Sequence, residues 1–355
     1  MKISLMRNLL FGVGLLIPLL LISCQAEKED ARVRFGRFFL DQLSYQTASE
    51  RRFVDVSYQK AFTITSTTDF VFYNISQVIV GQNGSIHVLD HGITKTHKFS
   101  PSGEYLMTYG YGFGEGPGEL LTLIDFGITS DSMVYMMDGT GRKISFYSMD
   151  GTFLKSKSYD DQIYRYTQTL SGREYIFSVN PPTLIETRLG NDTNPIVRFS
   201  DLTPDLEGVE VQGLWGTVGP IIPYGENLVY ALERYPLLIQ YAPDGSLVYA
   251  RTTVDYNDGF EEPEMETNLI GGYRTEYLSG PTYAVDPLSI TGNSLFLLSS
   301  YPPEEAIDVY EAKTGEYQYS MHPPGEDSNR VSLTIQNGKV YETRDTTVTV
   351  WEIIY

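Results

Sequence analysis

Few residues of this chain have the types and spacing that metal binding requires. The four histidines are His87, His91, His97 and His322. Two histidines four residues apart indicate a zinc site when they share one face of a helix. His87 and His91 instead fall at the end of an alternating segment and in the turn after it, and no Glu follows His87. We therefore predict structural or surface roles for the histidines, no metal site and no cofactor.

Nucleophiles and carboxylates give equally weak signals of catalysis. The sequence contains no Gly-x-Ser-x-Gly elbow, and it has a single cysteine. Glu115 and Glu119 would suit glycoside hydrolysis if their carboxyl groups lay about 5–10 Å apart across a cleft. With 45 acidic residues, however, such pairs also arise by chance. These residues favour a non-catalytic function and leave an enzyme open as the alternative.

The first 23 residues have the composition of a secretory leader. Lys2 and Arg7 precede a run from Leu9 to Ile22 that is almost wholly apolar and short for a membrane span. The run leads into Cys24, the only cysteine, through a Leu-Ile-Ser-Cys sequence that resembles the bacterial lipobox. An ordinary signal peptide followed by a structural cysteine is the alternative. The predicted division is a lipoprotein signal peptide at residues 1–23, a lipidated Cys24 with a tether over residues 24–50, and a folded domain over residues 51–355.

The charge of the processed chain excludes one class of partner. Without Lys2 and Arg7 the 26 basic residues become 24, against 45 acidic ones, which gives a net charge of −21. Nucleic-acid binding needs clustered Lys and Arg, so we expect no nucleic-acid partner. A lipidated Cys24 would make the lipid bilayer a partner through its acyl chains.

A repeat of about 40 to 55 residues organises the rest of the chain. Residues 85–106 align without a gap with residues 133–154, and each copy reads as three strands separated by an Asp-led turn and a glycine turn. Weaker copies occupy residues 172–199, 228–248, 294–317 and 338–353. Six copies of this kind predict an all-β fold, a six-bladed β-propeller with four-stranded blades.

Two further segments have predicted places in this architecture. The last copy lacks one strand at Tyr355, and Arg52–Ser57 alternates and needs a partner. We predict that Arg52–Ser57 completes the last blade as its outer strand, with an independent strand or a linker as the alternative. Residues 257–280 are acidic and poor in the repeat pattern, which indicates an insertion between two blades.

The segment from Tyr109 to Leu120 reads YGYGFGEGPGEL. It resembles the G-x-G-x-GPGE signature of six-bladed propeller lipoproteins of Bacteroidota, which are NHL- and TolB-like in fold. The resemblance covers the whole processed chain and implies a lipid-anchored protein of the cell envelope, at the outer membrane, with the leaflet left open. It does not fix an activity. The glycines also have a simpler explanation, since they would let the chain pass tightly between two blades.

Propeller topology predicts where a ligand would bind. The loops between the second and third strands of each blade, and the connections to the next blade, share one face, which we call the top face. A polar and aromatic set there would suit a sugar or a peptide. Simpler roles stay open: turn capping for the aspartates, solvated or blade-bridging positions for the arginines, and packing between blades for Trp215. The candidate binding residues are Asp90, Glu115, Glu119, Asp138, Arg142, Trp215, Glu233, Arg234, Tyr301 and Arg344.

Three functions follow as hypotheses. The first is a binding or scaffold propeller whose partner is a glycan, a peptide or an envelope protein. The second is a propeller hydrolase or lyase acting on glycans or lactones, which requires two or more of the candidate ionisable residues to converge in the central funnel. The third is a structural subunit with a featureless top face and an apolar patch elsewhere.

Overall fold

β-Strands make up nearly all the regular structure in the computed structural model, which describes residues 42–180, 183–198, 217–256, 264–270, 273–280, 282–300, 305–325 and 330–354. The first two strands within the described residues are β1 (Leu43–Ser44) and β2 (Ser57–Thr65). Blade 1 is β3 (Ile75–Val80), β4 (Ile86–Asp90), β5 (Lys95–Phe99) and β6 (Tyr105–Tyr109). Blade 2 is β7 (Leu123–Ile128), β8 (Val134–Asp138), β9 (Lys143–Tyr147) and β10 (Phe153–Ser158). Blade 3 is β11 (Ile163–Gln168), β12 (Glu174–Asn180), β13 (Thr183–Leu189) and β14 (Asp192–Arg198).

The second half of the chain continues the pattern. Blade 4 is β15 (Ile221–Tyr224), β16 (Asn227–Ala231), β17 (Leu237–Tyr241) and β18 (Leu247–Thr252). A separate hairpin follows, β19 (Glu264–Ile270) and β20 (Tyr273–Ser279), within the predicted insertion. Blade 5 is β21 (Val285–Thr291), β22 (Ser294–Ser299), β23 (Ala306–Glu311) and β24 (Tyr317–Met321). Blade 6 is β25 (Arg330–Gln336), β26 (Lys339–Arg344) and β27 (Thr347–Ile354), with β2 as its outer strand.

The order of strands within each blade is that of an antiparallel meander. Consecutive strands pair with one another, so each of the six sheets runs from an innermost to an outermost strand. The glycine turns that the repeat predicted join the third strand to the fourth. Gly103 and Gly151 both have φ of +87°, a conformation that costs glycine little and other residues more. The predicted six-bladed propeller is therefore confirmed.

Among the residues that the structure describes, six apolar clusters hold the ring together, and each lies between two neighbouring blades. One of them joins Leu89 of blade 1 to Phe126 and Met136 of blade 2, all fully buried. The same arrangement recurs between blades 2 and 3, 3 and 4, 4 and 5, 5 and 6, and 6 and 1. The core is thus divided into six wedges, because both faces of every blade are covered by the adjacent blade.

The outer strand of blade 6 comes from the N-terminal part of the chain, but from later residues than predicted. β2 pairs antiparallel with β27 from Ser57 opposite Ile354 to Thr65 opposite Thr347. The predicted segment Arg52–Ser57 lies mostly upstream of this strand. Phe53 instead bridges Ser320 of β24 in blade 5. Residues 52–57 and the β2 strand both have an alternating pattern of apolar and polar residues. That pattern alone therefore did not show which of the two pairs with the last strand.

Residues 42–56, which we call the N-terminal strap, lie across the outer edges of blades 4 and 5. Leu43 and Ser44 pair in parallel with Ala250 and Arg251 of β18. The side-chain amide of Gln46, 7% exposed, donates to the carbonyls of Thr252 and Gly315. The structure thus places residues 42–50, the described part of the segment assigned to a tether, on the propeller itself.

Candidate functional site

Asp90 and Asp138 occupy equivalent positions at the top ends of the second strands of blades 1 and 2. The Asp138 carboxylate accepts hydrogen bonds from the backbone N–H groups of Leu121, Thr122 and Gly141, at 2.8 to 3.0 Å. Asp90 accepts from Tyr73, Asn74 and Gly92 at 2.8 to 3.0 Å. Each carboxylate therefore ties its own turn to the connection that enters the same blade, as in the turn-capping alternative.

The electrostatics of Asp90 agree with this role. Burial tends to raise its pKa, but the nearby His97 and the three backbone donors outweigh burial and lower the pKa below its usual value. His97 Nε2 lies 3.9 Å from Asp90 Oδ2, and its Nδ1 is 2.9 Å from the Thr108 hydroxyl. Asp90 is thus an ionised, fully enclosed carboxylate with no surface facing solvent.

The histidines occupy separate environments. His87 Nε2 lies 3.0 Å from the Ser85 hydroxyl, and burial with a nearby Lys98 lowers the pKa of His87 to about 4. The half-buried His91 ring contacts the carbonyl of Leu123. Within the described residues, no group of three or more His, Cys, Asp or Glu side chains is arranged to hold a metal ion.

The GPGE segment folds onto itself between blades 1 and 2. Glu119 Oε2 accepts from the backbone N–H of Gly116 at 2.9 Å, and the Glu119 side chain fills the space beside Gly114. Gly118 has φ of +77° and lies under the ring of Tyr111. Glu115 is exposed and receives a 3.5 Å contact from Lys143 Nζ on its carbonyl oxygen. The glycines are thus used for close chain packing.

The arginine candidates link neighbouring blades. Arg142 donates to the carbonyl of Asp160, in the connection from blade 2 to blade 3, at 2.7 Å. Arg234 pairs with Glu233 at 3.2 Å and donates to the carbonyl of Gly280 at 2.9 Å, ahead of blade 5.

Arg344 belongs to a buried ionic network at the top of blade 6. It donates to Glu342 Oε1 at 2.7 Å, and Arg330 donates to the same oxygen at 2.9 Å. The side chains of Arg330 and Glu342 are each 1% exposed, and Arg330 also contacts Glu305. Trp215, Tyr301 and Cys24, the other three predicted residues, lie outside the described residues.

A concavity lies at the propeller axis, away from these loops. A cavity of about 740 Å³ is bounded by the innermost strand of every blade. It also reaches the turns between first and second strands, at residues 81–83, 129–132 and 169–170. In an antiparallel meander these turns lie opposite the top face, on what we call the bottom face. The cavity therefore lies in the part of the central channel nearer the bottom face.

The channel wall combines neutral hydrogen-bonding groups with aliphatic side chains. The neutral polar residues of its inner strands are Gln77, Thr167, Gln168, Ser289, Thr334 and Gln336. The aliphatic residues include Ile79, Ile128, Ile222 and Ile290. Such a wall, apolar with a few fixed polar groups, is typical of small-molecule binding pockets.

The charged groups of the channel wall have protein partners. Asp125 accepts from the backbone N–H groups of Phe126 and Tyr166. Lys98 donates to the carbonyl of Met149 at 2.9 Å, and burial lowers its pKa. Arg165 donates to the carbonyl of Tyr164 at 2.9 Å. Each of these charged groups thus has at least one protein partner, and neutral amides and hydroxyls line the wall beside them.

Hydrogen bonds between neighbouring inner strands join adjacent blades along this wall. The Thr334 hydroxyl donates to the carbonyl of Val78 at 2.7 Å, which joins blade 6 to blade 1. Ile335 N–H donates to the Ser289 hydroxyl at 3.0 Å, which joins blades 5 and 6. The sequence-based prediction placed the candidate site in the top-face loops and therefore did not include this channel. The feature of the sequence that would have indicated it is the polar residues within the strand that precedes each repeat copy.

The comparisons with known proteins agree on the fold. Residues 44–188 match the DUF5128 family, described as a 6-bladed beta-propeller. The chain is a six-bladed β-propeller. A comparison of this propeller with curated proteins gave no match. None of the helical segments among the described residues is long and apolar enough to cross a membrane.

Solved structures similar to this propeller are distant in sequence. A protein of Bacteroides fragilis described as exported has 13% identity and a TM-score of 0.57, with 88% of this chain and 98% of that chain covered. A DUF4221 family member from Bacteroides vulgatus has 9% identity and a TM-score of 0.56, covering 86% and 99%. The virginiamycin B lyase of Staphylococcus aureus has 12% identity and a TM-score of 0.52, covering 84% and 100%. At these identities the likeness concerns the fold.

Proposed function

We propose that this protein is a non-catalytic binding propeller of the cell envelope, which holds an uncharged glycan or peptide segment in its central channel. The observation that carries the proposal is the channel itself, about 740 Å³ in volume, in whose wall neutral amides, hydroxyls and isoleucines outnumber the three charged side chains. Cavities of this size accommodate a few sugar or amino-acid residues. The leader and Cys24 support the location, since they match the pattern of an exported lipoprotein.

The carboxylates support the non-catalytic part of this proposal. A glycosidase needs two carboxyl groups free to exchange protons and face the substrate. Asp138 is fully buried and Glu119 is bonded within its own loop, so both are engaged in holding the backbone. The enzyme hypothesis would then depend on other residues.

The test is a thermal-shift screen of residues 25–355 against neutral oligosaccharides, charged oligosaccharides and short peptides. A ligand at about 100 times its dissociation constant adds about 2.7 kcal/mol to the free energy of unfolding, which raises the melting temperature. We expect hits among neutral compounds. Binding should be lost in Thr167→Trp, which fills the channel, and weakened in Gln336→Ala.

Arg142→Gln on the top face is the matched control, and it should bind like the unmodified protein. Loss of binding in Arg142→Gln, with binding intact in Thr167→Trp, would move the site to the top face. No hit among any compound class would favour the scaffold hypothesis and direct the search to protein partners.

A further inference from the structure

Three turns on the bottom face share one conformation. Residues 82–84, 130–132 and 170–172 are loops between the first and second strands of blades 1, 2 and 3. In each case the residue before the loop donates its N–H to the carbonyl of the residue after it, at 2.8 to 2.9 Å. The third loop residue, Gly84, Ser132 or Gly172, has a positive φ between +62° and +85°. This is the geometry of three-residue hairpin loops.

The corresponding turns of blades 4, 5 and 6 are shorter by one residue. Two residues separate the paired strand ends there, at 225–226, 292–293 and 337–338. Residues of all three longer loops border the cavity of the central channel, together with Gly225 of the shorter turns. The loops of blades 1 to 3 therefore form one side of the cavity mouth on the bottom face.

The first residue of each longer loop borders the cavity, and its chemistry differs among the blades. Gln82 in blade 1 and Ser130 in blade 2 are polar, whereas the equivalent residue of blade 3 is Leu170. Leu170 is 78% exposed. A single exposed leucine is ordinary on a protein surface. This one differs in its position, because a ligand seated in the mouth of the cavity would cover it.

Hydrogen bonds to neighbouring blades hold the Leu170 loop. The Ser171 hydroxyl donates to Glu226 Oε2 of blade 4 at 2.6 Å. Gln168, two residues before Leu170, accepts on its Oε1 from the N–H of Ser130 in blade 2 at 3.3 Å. The loop is thus tied to blades 2 and 4, and Leu170 has a defined place at the mouth.

The aromatic residues of the cavity wall favour a peptide over a sugar. A sugar ring packs its C–H groups against the exposed face of an aromatic ring. Among the described residues, the aromatic side chains at the cavity are Phe126, Tyr135 and Tyr166, which are between 0% and 6% exposed. The rings of Tyr135 and Tyr166 pack edge to face on each other, with centroids 4.7 Å apart. The described part of the wall thus offers no open ring face for a sugar.

We infer that the channel binds a peptide segment with an aliphatic side chain, which enters from the bottom face and rests that side chain on Leu170. The inference rests on the proposed function and names the ligand class, a peptide instead of a glycan. The amides of Gln82 at the mouth and Gln336 in the wall each carry a donor and an acceptor. They match the N–H and C=O groups of a peptide backbone.

Thermal-shift titrations of residues 25–355 with matched probes test this inference. The peptide probes are two libraries of capped hexapeptides, randomised over Gly, Ala, Ser and Asn, with one central position fixed as Leu in one library and Ser in the other. The glycan probes are maltohexaose and the hexamer of N-acetylglucosamine. We expect the leucine library to bind about tenfold more tightly than the serine library, because its contact with Leu170 removes apolar surface from water. The glycans should give no shift.

Two leucine variants locate the contact. In Leu170→Ser the two libraries should bind alike, and the serine library should keep its affinity. Leu106→Ser is the matched control, since it removes a 52% exposed leucine from the outer strand of blade 1. It should keep the preference for the leucine library. A preference that survives in Leu170→Ser would overturn the inference.

The glycans distinguish failure of this inference from failure of the channel proposal. A glycan shift that is lost in Thr167→Trp, without any peptide shift, would keep the channel as the binding site and overturn its assignment to peptides. Peptide shifts that persist in Thr167→Trp, or no shift with any probe, would overturn both. Should Thr167→Trp fail to fold, Gln336→Trp fills the same cavity from blade 6.

Discussion

At the scale of single residues, the most informative positions are polar groups that bond to the backbone. Asp90 and Asp138 each satisfy three N–H groups of two different loops. Backbone N–H groups in turns have no strand partner, so the carboxylate accepts their hydrogen bonds and links the turn to the preceding connection.

Asp138→Ala should lower the free energy of unfolding by about 3 kcal/mol, since it leaves buried N–H donors unsatisfied. Asp138→Asn should cost less, because one amide oxygen can still accept. The exposed Asp160→Ala, in the next connection, is the matched control and should change stability by less than about 0.5 kcal/mol. Urea denaturation measures all three; an Asp138→Ala protein as stable as Asp160→Ala would contradict the role assigned to this carboxylate.

Gly118 and Gly172 allow two stability costs of replacing a glycine, backbone strain and steric overlap, to be measured separately. Both have positive φ, +77° and +85°. A methyl group on Gly118 would also meet the Tyr111 ring at 2.7 Å, whereas one on Gly172 meets nothing within 4 Å. We expect Gly172→Ala to cost about 1 kcal/mol and Gly118→Ala clearly more. Equal losses of melting temperature in the two variants would mean that Tyr111 moves aside freely.

Residue chemistry was only partly predictable from the sequence. The turn-capping alternative for the aspartates could be stated, because Asp followed by a turn is a local signal. The partners of Gln46 and Arg51 lie more than 200 residues away, and no local pattern indicates them. The polar residues of the channel were overlooked because a single Gln or Thr in a strand is ordinary by itself.

At the scale of elements, β2 shows what an alternating pattern of apolar and polar residues can and cannot predict about strand pairing. The need for a missing outer strand in blade 6 followed from counting strands in the last repeat copy. Its position did not, since residues 52–65 alternate over two consecutive stretches. Ile64, which is 4% exposed and packs in the cluster between blades 6 and 1, sets the register actually found.

Ile64→Ala should destabilise the propeller by about 2–4 kcal/mol, because it removes buried methyl groups and leaves a cavity beneath the outer strand. Thr65→Ala is the neighbouring control on the exposed side of the same strand, and it should cost less than about 0.5 kcal/mol. Guanidinium denaturation followed by tryptophan fluorescence compares them. If both variants unfold at the same midpoint, β2 contributes little to closing the ring.

At the scale of the whole molecule, the ring follows from the repeat. Six copies with alternating apolar residues each supply two apolar faces, and only closure lets every face find a partner. This reasoning predicted the number of blades, and the six inter-blade clusters show its physical basis. The width of the central channel could not be predicted, because it depends on how the inner strands of all the blades converge.

The pairing of β2 with β27 also determines when the protein can finish folding. About 280 residues separate Thr65 from its partner Thr347. At ribosomal rates of about 5–20 residues per second, β2 waits roughly 15 to 60 s for that partner to be made. During this interval its nine residues form an unpaired edge that could join other chains. A chain that lacks β27 would keep this edge, so pairing with the last strand is what protects β2 from joining other chains.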